Sequence, residues 1–167
     1  MDQVVAPRPV VTFNGPLEVG IRTVTILGAA YPRAFDLQRL IAFDYLLVHT
    51  GEVGGPDSLH PPAPLQSAEL LVRRGVLEQA LLLTMTRQLV TREASVAGFL
   101  YRAGENAIVF LDSMASEYLV ELTRRASWLV KTFGNTSEPE FRRLMQTYLD
   151  RWVEEFQIAE RSLGSNS

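Results

Sequence analysis

The chain has 167 residues, of which 47% are hydrophobic, and it carries a formal net charge of −3. This length and apolar content suffice for one well-buried domain and exclude a disordered chain. The absence of cysteine excludes a disulfide scaffold, thiolate zinc sites and cysteine nucleophiles. The acidic balance disfavours a protein that holds nucleic acid by itself, because such proteins present a broad basic surface.

The first third of the sequence predicts an extended arm and two helices. Residues 1–15 contain prolines, and they lack the basic and apolar regions of a signal peptide. Since no later segment offers about 18 uninterrupted apolar residues, we expect a cytoplasmic protein that does not contact a membrane. One helix is expected from Pro16 until shortly before Pro32. A second helix begins after Asp36, which is placed to cap it ahead of apolar residues at helical spacing.

A long loop and a third helix come next. Residues Gly51 to Gln66 include three glycines and four prolines, so they predict a surface loop. Ser67 is suited to cap the following helix, which continues to about Val90 and is apolar around most of its circumference. Arg73 and Arg87 lie about 40° apart around its axis. They are candidate contacts for phosphates or for an acidic partner, and local ion pairs are the alternative.

The segment from Val90 to Tyr101 predicts a β-hairpin. Arg102 follows Tyr101 on the opposite side of an extended strand, so we expect Arg102 to face outward, and Arg92 belongs to the other arm. Helix, helix, long helix and hairpin is the order of a winged-helix domain. The predicted fold is therefore mainly α, with a winged-helix-like domain over residues 16–111 and the hairpin as its wing. A plain helical domain with an irregular hairpin is the alternative.

Two helices are predicted after the hairpin, from about Ala107 to Phe133 and from Glu138 to Glu160. We expect residues 112–160 to form a helical extension packed on the same core, and residues 161–167 to form a flexible tail. The last helix carries an apolar stripe, which either packs on its own domain or docks on a partner. The candidate docking residues of this stripe are Phe141, Met145, Tyr148, Trp152 and Phe156. The expected core includes Leu40, Phe43, Leu47, Leu77, Leu81, Phe110 and Trp128.

Patterns that would predict an enzyme are weak in this sequence. His49 and His60 are its only histidines, and without a clear carboxylate spacing they make a poor metal site. Neither a phosphate-binding loop nor a nucleophile elbow is found. We therefore expect no catalytic residue, no cofactor and no metal. A small enzyme that uses His60 with Asp57 is a third possibility, because long loops often carry function.

Five short motifs carry a resemblance to a known family. They are Asp44-Tyr45, Gly55-Pro56, Ser58-Leu59-His60-Pro61, Leu71-Val72-Arg73-Arg74 and Arg125-Ala126-Ser127-Trp128. Together with the segments around them, from about Phe13 to Val130, they resemble the middle component of bacterial ABC-three-component systems, a group related to Lamassu antiphage defence. The helix from Glu138 lies outside the resemblance.

The resemblance implies a small non-enzymatic subunit that bridges or regulates an ATPase of the SMC or Rad50 type and an effector subunit. The ATPase would hold the nucleotide. A winged-helix transcriptional regulator is the alternative, and it would use Arg73, Arg87, Arg92 and Arg102 on phosphates or base edges. In the subunit hypothesis these arginines are candidate partner contacts, with weak non-specific DNA contact inside the complex. A homodimer is compatible with either hypothesis.

Overall fold

The computed structural model describes residues 15–61 and 67–148 of the chain. Within these ranges it contains six α-helices and a three-stranded antiparallel sheet, so the described part is mainly α, as predicted. None of the described helices combines the length and the apolar run that crossing a membrane requires. The predicted arm, apart from Gly15, and the predicted tail lie outside the described residues. The boundaries predicted at residues 15, 111 and 160 stay predictions.

The elements follow one another along the chain with short connections, apart from the segment between the second and third helices. The helices are α1 (Pro16–Ala30), α2 (Leu37–Val48), α3 (Ser67–Thr86), α4 (Ala107–Asp112), α5 (Glu117–Phe133) and α6 (Glu138–Tyr148). The strands are β1 (Phe35–Asp36), β2 (Val90–Ser95) and β3 (Gly98–Ala103), and a short 3₁₀ helix (Thr50–Val53) follows α2.

Local signals explain where the first two helices begin. Pro16 occupies the first turn of α1, where the missing N–H needs no partner. The carboxylate of Asp36 accepts a hydrogen bond of 2.8 Å from the backbone N–H of Arg39, which caps α2. Both helix starts agree with the sequence. The side chain of Ser67, the predicted cap of α3, lies outside the described side chains.

The sheet joins the predicted hairpin to a strand that sequence analysis missed. β2 and β3 pair in register from Val90 opposite Ala103 to Ser95 opposite Gly98, so the hairpin is present. β1 adds to the other edge of β3, with Phe35 opposite Tyr101. A strand of two residues is too short to show an alternating pattern, so only its pairing reveals it. The winged-helix interpretation stays a prediction.

The core lies where α1 contacts α3 and α5, with α2 and the base of the hairpin against them. The predicted core residues on α2 and α3 are all buried: Leu40, Phe43, Leu47, Leu77 and Leu81. Phe110 and Trp128 were also expected there, but they are only partly buried at the core's edge. Phe110 belongs to the short α4 beside an open groove, and Trp128 is covered by the loop at Gly55.

The single helix predicted from Ala107 to Phe133 is wrong, because the chain forms α4 and α5 with a break between them. Ser116 takes an extended conformation, and its hydroxyl accepts a hydrogen bond of 3.3 Å from the backbone N–H of Leu119. Serine favours such caps over helix interiors because its hydroxyl competes for backbone groups. The apolar spacing continues across the break, so periodicity alone did not reveal it.

The loop predicted to lie on the surface from Gly51 is partly folded into the domain. Its first residues form the 3₁₀ helix, which buries Val53. The hydroxyl of Thr50 donates to the carbonyl of Pro56 at 2.7 Å, and the N–H of Gly55 donates to the carbonyl of Thr50 at 2.9 Å. These bonds satisfy backbone groups internally, and of residues 51–60 only Val53 is buried, while Gly51, Gly54 and Asp57 stay exposed. Residues 62–66 lie outside the described part.

Candidate interaction surfaces

A buried ion-pair cluster ties α1, α2 and α3 together. Asp44 on α2 is fully buried, and Arg22 on α1 donates to both of its carboxylate oxygens, at 2.7 and 3.2 Å. Arg73 on α3 donates to the same carboxylate. Burial alone would raise the pKa of Asp44, but the charges and hydrogen bonds of the two guanidinium groups outweigh it, so this pKa lies below its ordinary value.

The cluster gives Arg73 a structural role. Its side chain is only 17% exposed and is bound to Asp44, so this predicted partner or DNA contact is largely engaged inside the protein. No role in an ion pair was expected for Arg22 or Asp44 from the sequence. Asp44 is a charged residue within an apolar helical run. This pattern could have predicted a buried ion pair, because buried charges in proteins are paired.

His49, at the end of α2, is buried beside the cluster. Its ring stacks on Tyr45 with the centroids 4.2 Å apart, and its Nδ1 lies 3.5 Å from the carboxylate of Glu52. Nδ1 has no hydrogen-bond partner among the described residues. Burial, followed by the positive charge of Arg73, lowers the pKa of His49 to about 4. His49 is therefore neutral at pH 7.

We expect His49→Phe to flatten the loss of stability on acidification from pH 6.5 to 4. In the wild type the folded-state pKa of about 4 lies below the ordinary 6.5. In this window the unfolded chain therefore binds a proton that the folded chain does not. Acidification through this window therefore lowers the free energy of unfolding by up to about 3 kcal/mol through His49. Urea titrations at pH 7, 5.5 and 4 measure the difference, and an unchanged pH dependence in the variant would contradict the assignment.

Hydrogen bonds join the loop that contains His60 to α5. Nε2 of His60 lies 3.1 Å from the hydroxyl of Tyr118, and burial lowers the pKa of His60. Arg125 donates from Nε and Nη2 to the backbone carbonyl of Asp57, at 2.9 and 2.7 Å. A β-carbon on Gly55 would lie 2.5 Å from the ring of Trp128, so only glycine fits there.

These contacts bring together the motifs that carry the family resemblance. Asp44 and Arg73 meet in the buried cluster, while Gly55 and Asp57 meet the motif on α5 that includes Arg125. The described residues contain no group of three or more His, Asp or Glu side chains placed to hold a metal ion. The contacts of Asp44, Arg73, Gly55 and Arg125 hold the loop and the helices together.

The described start of the last helix packs inward. Phe141 and Met145 are buried, and the ring of Phe141 lies edge-on to Phe43 at 5.6 Å. The guanidinium of Arg39 lies 4.1 Å from the centroid of Phe141 and donates to the carbonyl of Phe133. These first two residues of the proposed docking stripe thus belong to the chain's own core. The side chain of Tyr148, and all of Trp152 and Phe156, lie outside what the structure describes, so docking there stays a prediction.

The hairpin offers a mixed surface in which both predicted arginines have neighbours. The guanidinium of Arg92 lies 4.2 Å from the centroid of Phe99, and Arg102 is 3.8 Å from the carboxylate of Glu93. Val96, at the tip, is fully exposed. The hairpin therefore combines exposed apolar groups with two arginines and one glutamate.

The outward face of α3 exposes apolar side chains beside the polar Glu78, Gln79 and Thr86. Val72 is 66% exposed and Leu82 is 61% exposed. Arg74 on the same helix pairs with Glu78 at 3.3 Å. Little unpaired positive charge is left on the described length of this helix.

A groove of about 260 Å³ runs between α1, α3 and α4, and we call it the α1–α3–α4 groove. Thr84 in its wall already donates its hydroxyl to the carbonyl of Ala80 at 2.9 Å. Arg87, just past the end of α3, supplies the charged group of the lining. The apolar side chains of the lining are Leu17, Ile21, Val24, Leu83, Leu89 and Phe110.

Comparison with known proteins identifies the family. A family model that describes middle component 2 (MC2) of ABC-three-component (ABC-3C) systems matches residues 12–155. No curated protein and no solved structure matches the chain. The matched range includes all five motifs and every element from α1 to α6, so the relationship inferred from the motifs is confirmed. The helix from Glu138 was expected to lie outside the resemblance, and that bound is wrong, because the match continues to residue 155. The chain therefore belongs to the MC2 family, middle component 2 of ABC-three-component systems.

Proposed function

We propose that this middle component is a non-enzymatic accessory subunit that bridges or regulates an SMC- or Rad50-like ATPase and an effector. A middle component acts with the other components of its system. The proposal assigns nucleotide binding to the ATPase, and it includes the relation to Lamassu antiphage defence. It also treats residues 16–111 as a winged-helix-like domain, which the order helix, strand, helix, helix and hairpin supports.

The observation that carries the proposal is the exposure of large apolar side chains on the outward face of α3. In DNA-binding winged helices the helix before the hairpin enters the major groove, where polar and basic side chains read base edges. Here that helix exposes Val72 and Leu82, while its Arg73 and Arg74 are paired with carboxylates. Apolar surface of this kind favours a protein partner over DNA.

The charge of the region supports the same conclusion. Residues 67–111 contain five arginines against four glutamates, a net charge of +1. Few phosphates can be neutralised by such a surface, so DNA affinity should start low and fall only shallowly with salt.

We expect Leu82→Arg to weaken assembly with the other two components without creating tight DNA binding. The variant places a cation on the face of α3 that the proposal assigns to protein contact, and the exposed site should leave the fold intact. Co-expression of the three components, followed by size-exclusion chromatography, measures assembly. Fluorescence anisotropy with duplex DNA at two salt concentrations measures DNA binding. Val120→Arg, at an exposed position on α5, is the matched control.

The hairpin gives a second variant for the same assays. Changing both Arg92 and Arg102 to glutamate should disturb assembly more than intrinsic DNA binding, and circular dichroism checks that each variant is folded. Sequence-selective DNA binding by the isolated wild type at about 10⁻⁸ M or tighter, lost in this double variant, would establish the regulator instead. ATP turnover by the isolated chain that survives removal of trace ATPases would contradict the non-enzymatic assignment.

A further inference from the structure

We infer that the α1–α3–α4 groove binds an amphipathic helix of another component of the system, and that a carboxylate on this helix pairs with Arg87. The inference rests on the proposed function, because it names the kind of partner segment that the subunit takes. It concerns a surface beside the outward face of α3.

The lining of the groove favours side chains of a protein over a small molecule. The groove volume of about 260 Å³ is near the lower limit of roughly 300 Å³ for small-molecule pockets, so the preference comes from the residues that line the groove. Leu17 at its edge is 62% exposed, and Leu83 on the opposite wall is also exposed. α4 beside it exposes Ile108 and Val109. An insertion of two or three apolar side chains would remove this surface from water.

Arg87 makes the groove selective for an acidic partner. Its side chain forms no ion pair or hydrogen bond with the other described residues. Its backbone is held in place, because its carbonyl accepts a hydrogen bond of 3.3 Å from the side-chain amide of Asn106. The next residues are fixed as well, since the N–H of Leu89 donates to the carbonyl of Thr84 at 3.0 Å. The exposed guanidinium of Arg87 is therefore available for a charge-assisted hydrogen bond with a carboxylate of a partner.

A helix fits these features better than nucleic acid does. Helices that dock in apolar grooves present anchors at positions i, i+3, i+4 and i+7, which suits a groove lined by apolar side chains and one arginine. A phosphate backbone needs several convergent cations, whereas Arg87 is the arginine that lines this groove. The partner segment is therefore expected to carry an apolar stripe and an aspartate or glutamate beside it.

The test uses the complex of all three co-expressed components. Arg87→Glu should weaken assembly by at least about tenfold, since the variant reverses the charge that pairs with the partner's carboxylate. Leu17→Asp should do the same by placing a carboxylate in the groove, and an acid in the first turn of α1 is compatible with the helix. Arg124→Glu and Val120→Asp make the same chemical changes at exposed positions on α5 and should assemble like the wild type.

A photo-crosslinking residue at position 83 identifies the occupant. We expect it to label a partner segment with apolar residues at helical spacing and a nearby carboxylate, and changing that carboxylate to arginine should restore assembly with Arg87→Glu. Crosslinks confined to a second copy of this chain or to DNA would overturn the inference. Wild-type assembly by the two groove variants would overturn it while the proposed function stands. A wild-type chain that assembles with neither component would overturn both.

Discussion

Asp44→Asn is expected to lower the free energy of unfolding by about 3 to 5 kcal/mol. The substitution removes the one carboxylate that Arg22 and Arg73 share, and it leaves the guanidinium of Arg22 buried without its counter-charge. Chemical denaturation at pH 7, followed by circular dichroism, measures the change. Glu78→Gln is the matched control, because it breaks an ion pair with Arg74 on the surface of α3. That change should cost less than about 1 kcal/mol.

The pH dependence separates this effect from that of His49. The folded-state pKa of Asp44 is depressed, so its contribution is present above the unfolded pKa of about 3.9 and is lost as pH falls through the folded value. The difference in the free energy of unfolding between the wild type and Asp44→Asn should thus become smaller only below about pH 4. His49 instead changes the free energy of unfolding between pH 6.5 and 4. Equal stabilities of the two proteins at pH 7 would show that the cluster does not hold the three helices together.

Leu81→Ala is expected to cost about 2 to 5 kcal/mol of folding stability, because Leu81 is buried in the core and truncation leaves a cavity. Leu82→Ala, at the next position of α3, is the matched control. Its side chain is mostly exposed, so the loss should stay within about 0.5 kcal/mol. Thermal and urea denaturation measure both variants. A loss for Leu81→Ala as small as that of its neighbour would place this face of α3 outside the core.

The same pair of variants separates stability from assembly. Leu82→Ala should weaken the three-component complex while the isolated subunit stays stable, because it removes apolar surface from the outward face of α3. Leu81→Ala should affect assembly only through the folded fraction. Adjacent positions on one helix thus serve two different purposes, one for the core and one for the proposed contact.

Features that depend on neighbouring residues were predictable from the sequence. The cap at Asp36 and the proline at position 16 marked the starts of two helices, and the hairpin from Val90 lies where its polar and β-branched segments predicted it. The buried positions on α2 and α3, such as Phe43 and Leu77, also followed from helical spacing. The family was also predicted from short motifs, and the structure shows which contacts residues of these motifs make.

Features that depend on distant residues were decided only by the tertiary structure. Arg22 and Arg73 reach Asp44 across 22 and 29 positions of the chain, and no local pattern pairs them. β1 exists because β3 lies beside it, and the break at Ser116 interrupts a stripe that is apolar on both sides. Periodicity reports which residues share a face of a helix, but not which element covers that face or leaves it open. The sequence by itself therefore determined the family and most of the helices, and the packing of α1 against α3 and α4 decided that Arg87 stands beside an apolar groove.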